Sequence, residues 1–146
     1  MANRAAKLDA DPHSDWQVLQ CARISAPPLR FNGQLLHRQS AGRPDLSFEL
    51  YLRRQGGFTI AMPGFADGRW RQDAMRAKSW SEAFDKVEDY CDRLFAPKPQ
   101  RAGAEVLLSA HLALVSRRNE VLDAAGRALA AWVELAEAGV TGKAIA

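Results

Sequence analysis

Residues 104–138 contain no proline and a single glycine, Gly126. Within them Leu108, Val115, Leu122, Leu129 and Ala136 recur every seven residues. Leu107, Leu114, Val121, Ala128 and Leu135 repeat that spacing one position earlier. Apolar residues at this period, with no breaker between them, specify an amphipathic helix. Two arrangements satisfy the pattern. One is a single long helix. The other is a hairpin turning at Ser116-Arg117-Arg118-Asn119, with Asn119 capping its second arm. No glycine or proline marks that turn, which favours one helix. Such a helix is about 50 Å long at 1.5 Å per residue. A compact domain of roughly 80 residues, with a radius of gyration near 12 Å, is too small to cover it. The surplus apolar face therefore predicts an interface with a second copy or another protein, formed by Leu108, Leu112, Val115, Leu122, Leu129, Trp132 and Val133. Gly139 is the expected helix stop, and residues 139–146 are expected to fray.

The remainder of the chain is organised differently. Residues 1–14 are polar and predict a flexible arm. Residues 15–24 fit a strand or a short helix. Asn32-Gly33 is a tight-turn dipeptide. Residues 34–40 read as a strand. Leu46, Phe48, Leu50 and Leu52 alternate with Ser47, Glu49, Tyr51 and Arg53, the period of a strand with one buried face. Gln55-Gly56-Gly57 turns the chain into a strand at 58–62, which Pro63-Gly64 is expected to end. Ala66-Asp67-Gly68 makes another turn, and residues 69–78 can add a fourth strand. Ser79-Trp80-Ser81-Glu82 matches a capping box. Trp80, Phe84, Val87, Tyr90, Cys91 and Leu94 then follow at helical spacing, with acidic residues between them. Residues 97–103 form a basic, proline-containing linker. The predicted fold is α+β: a three- or four-stranded antiparallel meander packed on one helix, within residues 15–96, followed by the long helix or helical hairpin of 104–138.

The 146 residues are 47% hydrophobic, enough to bury a core without disulfide staples. Cys21 and Cys91 have no metal-ligand spacing and read as reduced, buried thiols. No secretory leader opens the chain and no apolar run reaches the roughly 20 residues that span a bilayer, so the expected location is cytoplasmic, without a membrane partner.

Net charge is +3, but residues 23–78 carry ten basic side chains against four acidic ones. Arg53, Arg54, Arg69, Trp70 and Arg71 are the candidates for a nucleic-acid surface, with arginines neutralising phosphates and the indole stacking on a base. The competing expectation is that Trp70 is core and the arginines are ordinary surface. His13, His37 and His111 are isolated in sequence, and no phosphate-cradling glycine loop occurs. No catalytic residue, metal ligand or cofactor is predicted. His37 has Asp45 and Glu49 nearby in sequence, but nothing else marks an acid–base pair.

Phe31-Asn32-Gly33-Gln34-Leu35-Leu36, the strand from Leu46 to Leu52, and Gly56-Gly57-Phe58-Thr59-Ile60 together resemble a pattern in small proteins of phages, plasmids and other mobile elements. That resemblance covers about thirty residues and leaves out residues 104–138. It implies an accessory or regulatory role and brings no catalytic residues. The expected function is thus a non-enzymatic interaction protein, dimeric through its helical region. A nucleic-acid-binding regulator using the basic sheet surface is the alternative.

Overall fold

The computed structural model describes the backbone of residues 6–10, 16–95 and 104–142, and the side chains within 16–93 and 116–142. Six strands lie in chain order along one antiparallel sheet: β1 (Ala6–Ala10), β2 (Gln17–Cys21), β3 (Leu29–Arg43), β4 (Leu46–Arg53), β5 (Phe58–Ala66) and β6 (Arg69–Ala77). Two helices follow, α1 (Trp80–Phe95) and α2 (Ala104–Glu137). The α+β class is observed, but the sheet exceeds the predicted three or four strands. Strands β2–β6 make its body, and β1 adds an outer strand against β2. Ala6–Ala10 therefore departs from the expected flexible arm. Edge pairing uses backbone groups, so a polar segment can join a sheet with no apolar signature. The remainder of that arm and the linker at 97–103 lie outside the described residues.

Strand β3 is the spine of the fold. It runs through Asn32-Gly33, where a turn was expected. Gly33 pairs with Gln17 on one side and Arg53 on the other. A Cβ at Gly33 would sit 2.5 Å from the Leu52 carbonyl oxygen and 2.9 Å from the Phe31 ring. The glycine thus permits close packing against Leu52 and Phe31, and does not reverse the chain. Strand β5 likewise continues through Pro63-Gly64 to Ala66. Pro63 lies beyond Ala61, where the β4–β5 ladder ends. Nearby, the Gln72 side chain of β6 serves Ser47 on β4. Its oxygen accepts from the Ser47 amide at 3.1 Å, and its nitrogen donates to the Ser47 carbonyl at 2.9 Å. An amide side chain here replaces a strand neighbour. The predicted turn at Asp67-Gly68 is present, with both residues at positive φ.

The sheet curls. The Ile24 amide, after β2, donates to Asp73 Oδ1 on β6 at 3.0 Å, although three strands separate β2 from β6 in the sheet order. The curl creates two apolar clusters. In the first, Leu46, Phe48, Leu50, Phe58, Ile60 and Met62 pack against Ala83 and Val87 of α1 and against Val121, Ala124, Ala125, Ala128 and Trp132 of α2. The second joins Leu19, Cys21, Leu29 and Phe31 to Tyr51, Ala61 and Ala74. Strand β4 is consequently buried from Leu46 to Tyr51 on both faces, not on one as its alternation implied.

Helix α1 begins as its sequence requires, with Ser79 Oγ accepting the Glu82 amide at 3.1 Å. Lys86 of α1 donates to the Arg76 carbonyl of β6 at 2.7 Å, covering part of an edge that could otherwise pair with another strand. Helix α2 is one helix, not a hairpin. It ends on Gly139 at φ 92°, where the Gly139 amide bonds the Ala136 carbonyl and the Val140 amide bonds the Leu135 carbonyl. This pairing is a Schellman cap. Residues 140–142 are docked, contrary to the expected frayed tail. The Val140 carbonyl accepts the Trp80 indole N–H at 2.8 Å, and the Gly142 carbonyl accepts the Gly57 amide at 2.6 Å. Residues 143–146 lie outside the described residues.

Gly33→Ala is expected to destabilise the fold by about 1–3 kcal/mol, the usual cost of overpacking. A shifted denaturation midpoint with unchanged slope checks this.

Candidate functional site

The predicted helical interface divides in two. At 100° per residue, Val121, Ala124, Ala125, Ala128 and Trp132 fall on one stripe of α2. All five are buried against the chain's own sheet. Trp132 is completely buried, so it belongs to the core and not to a partner surface. This also corrects the reading of 104–138 as a region separate from the sheet domain. Leu122, Gly126, Leu129 and Val133 fall on a second stripe, rotated by about 110°. Leu122 and Leu129 are half-buried, Leu129 against the chain's own core, and Val133 is 41% exposed. A Cβ on Gly126 would meet nothing within 4 Å. The two heptad series in the sequence are thus two faces of one helix. The side chains of Leu108, Leu112 and Val115 lie outside the described residues. By helical phase the positions of Leu108 and Val115 fall on the second stripe and that of Leu112 at its far edge, while those of Leu107 and Leu114 fall on the first.

The predicted basic surface also divides. Arg53 and Arg54 lie where β4 turns into β5. Arg69, Trp70 and Arg71 lie at the opposite end of β5, roughly 25 Å away at 3.3 Å per residue. Trp70 is only 8% exposed and meets Phe65 edge-on, with centroids 5.3 Å apart. Its face is unavailable for stacking on a base. Arg71 lies 3.5 Å from Asp67, and Arg69 is exposed. Arg53 is half-buried. Its guanidinium lies 5.7 Å from the Phe31 ring centroid and donates to Thr59 Oγ1 at 3.3 Å. Arg54 is exposed.

Sequence reasoning missed a buried polar cluster on β4. Glu49 is completely buried. It accepts hydrogen bonds from Tyr51 Oη at 2.5 Å, Ser47 Oγ at 2.9 Å and Arg38 Nε at 3.2 Å. Burial pushes its carboxyl above the usual carboxylate range, opposed by these hydrogen bonds and the arginine charge. A bulge in β3 builds the cluster. Leu35 pairs with Tyr51, but His37 pairs with Leu50, so Leu36 is an extra residue. The bulge brings Arg38 opposite Glu49. It also turns His37 to the helical side, where the Trp132 indole N–H donates to His37 Nδ1 at 3.2 Å. His37 and Glu49 therefore sit on opposite faces of the sheet and make no acid–base pair. The alternation in β4 could have flagged Glu49, but no local signal marks the bulge.

Both cysteines are free. Burial raises Cys21 to about 12 and Cys91 to about 11. Each is therefore a poor thiolate and a weak nucleophile near neutral pH. Among the described residues no group of three or more His, Cys, Asp or Glu side chains could hold a metal ion, and no helix is long and apolar enough to cross a membrane. No family model, curated protein or solved structure matches the chain.

Two outcomes follow from the buried groups. Glu49→Ala leaves the Tyr51 and Ser47 hydroxyls and the Arg38 guanidinium without their shared acceptor. The expected loss is about 2–4 kcal/mol in a denaturant titration. Burial lowers the His37 pKa, so protonation is less favourable in the folded state than in the unfolded chain, where it occurs near pH 6.5. Its contribution is complete above pH 6.5 and declines as pH falls below that value. The difference in stability between the parent chain and His37→Gln should therefore shrink from pH 7 to pH 5.

Proposed function

We propose that this chain is a non-enzymatic accessory protein that works by protein–protein association, and that the second stripe of α2 joins two copies of it. One observation carries the reading: α2 has two apolar faces, and its own domain covers one fully and the other only at Leu129, leaving Leu122 and Val133 outside the core cluster. Leu122, Gly126, Leu129 and Val133 make the half-exposed stripe, and Leu108, Leu112 and Val115 continue its 3–4 spacing toward the N-terminus of the helix. A second copy fits because a seven-residue stripe is complementary to an identical one across a two-fold axis. Gly126 adds a point of close approach, since no side chain fills the space before it. The helix continues twelve residues before Ser116, about 18 Å of further rise. Those turns extend the area available for pairing. In this reading the curled sheet is a rigid head that the helix presents in duplicate.

A second reading makes the chain a nucleic-acid-binding regulator. It retains Arg53 and Arg54, neither of which has a carboxylate partner among the described residues, but it loses Trp70 as a stacking platform.

Light scattering after size exclusion tests the first reading. The parent chain should elute as a dimer at micromolar concentration, and Leu108→Asp with Leu122→Asp should convert it to a monomer with an unchanged strand signal in circular dichroism. A parent chain that stays monomeric throughout that range would end the dimer proposal.

A further inference from the structure

Near the β4–β5 turn, Arg53 and Arg76 flank one threonine, Arg53 through a hydrogen bond to Thr59 and Arg76 through strand pairing with it. Thr59 is completely buried and fixes Arg53 by accepting from its Nη1. Arg76 of β6 is the direct cross-strand partner of Thr59. Tyr51 pairs with Thr59 across β4 and β5, so Arg53, two residues beyond Tyr51, emerges on the same face of the sheet as Thr59 and Arg76. The like-charge proximity is strong enough to lower the Arg53 pKa, after burial, through Arg76. Neither arginine has an ion-pair partner among the described residues. Two further cations border them. Arg54 is next in the chain, and the Lys78 Cα lies 3.4 Å from where a Cβ on Gly57 would stand. Of the carboxylates nearby in the fold, Glu49 is engaged by Arg38, Tyr51 and Ser47, and Glu82 by Lys86 at 3.4 Å.

Two like charges flanking one residue without a counter-ion cost free energy. Arg53 is held in place by Phe31 and Thr59, while strand pairing fixes only the backbone of Arg76, whose side chain is exposed. An oxyanion bridging them would turn that repulsion into charge-assisted hydrogen bonds.

We propose that Arg53 and Arg76 form a binding site for a phosphate group, with Thr59 and Phe31 as the residues that position Arg53. Phosphate is the oxyanion of choice because it offers acceptor oxygens to two separate donors at once, and its charge matches two guanidiniums. The phosphate can be a free phosphoryl ligand or part of a phosphodiester chain; the site recognises the group common to both. The proposal does not rest on the helical interface, and a monomeric chain would leave it intact.

The test is an NMR titration of the full chain with pyrophosphate, and separately with an oligothymidylate of eight nucleotides. Arginine Nε–Hε resonances are followed together with backbone amides. The site predicts shifts centred on Arg53, Thr59 and Arg76. It also predicts that Arg76→Gln, an exposed position, weakens binding about tenfold, the value of one charge-assisted contact. Arg69→Gln, at the far end of β5, should leave affinity unchanged. Saturation by pyrophosphate alone would identify a free phosphoryl ligand, and tighter binding of the oligonucleotide would identify a phosphodiester; both support the site. Absence of shifts at Arg53 and Arg76 with either probe, or equal weakening by Arg69→Gln and Arg76→Gln, would overturn it.

Discussion

The burial of β4 on both faces is the constraint from which the remaining architecture follows. Leu46, Phe48 and Leu50 need an apolar cover, and α1 and α2 supply it. Ser47, Glu49 and Tyr51 point the other way and would be ordinary solvent-facing residues on a flat sheet. The curl closes that side with β2 and the first half of β3. Once closed, a carboxylate inside must find partners, because an unpaired buried charge costs several kcal/mol. The Arg38–Glu49–Tyr51–Ser47 cluster is the physical consequence. The bulge at Leu36 satisfies both sides, sending Arg38 to the acid and His37 to the indole.

The same constraint decides what α2 can do. A two-layer packing of helix on sheet uses one stripe of a helix, and Trp132 anchors that stripe by filling the space above β3 and β4. The Schellman cap at Gly139 and the docking of residues 140–142 beside Trp80 and Gly57 hold the C-terminal end. The flank bearing Leu122 and Val133 is left over, not because the helix stands apart from the domain, but because it has a second apolar face. The basic residues obey a similar geometry. Strand direction separates Arg53 from Arg69 along β5, while Thr59 links Arg53, which bonds it, to Arg76, its strand partner 23 positions after Arg53.

Much of the local structure was legible. The Leu/Ser/Phe/Glu alternation marked β4, Gly56-Gly57 and Asp67-Gly68 marked the hairpin turns, Ser79 marked the start of α1 and Gly139 the end of α2. Each is a local consequence of side-chain period, positive φ or an orphan amide. Asn32-Gly33 misled because the same dipeptide suits a turn and a point of close strand packing, and only the neighbouring Leu52 carbonyl and Phe31 ring distinguish them. Pro63-Gly64 misled for a related reason, since the register of β5 against β6 carries the strand through it. Strand β1 had no apolar pattern to read.

By itself, the sequence determined element types over most of the chain, the α+β class, and a long helical stretch with two heptad series, as one helix or a hairpin; the structure showed it to be one helix. Those are properties of residues a few positions apart. The tertiary structure decided which heptad series meets the sheet, that Trp132 and Trp70 are buried, that Glu49 lies inside, and that Arg53 and Arg76 flank the same threonine. Such properties depend on curl and register, which sum small backbone twists over many residues. No short stretch of sequence encodes that sum.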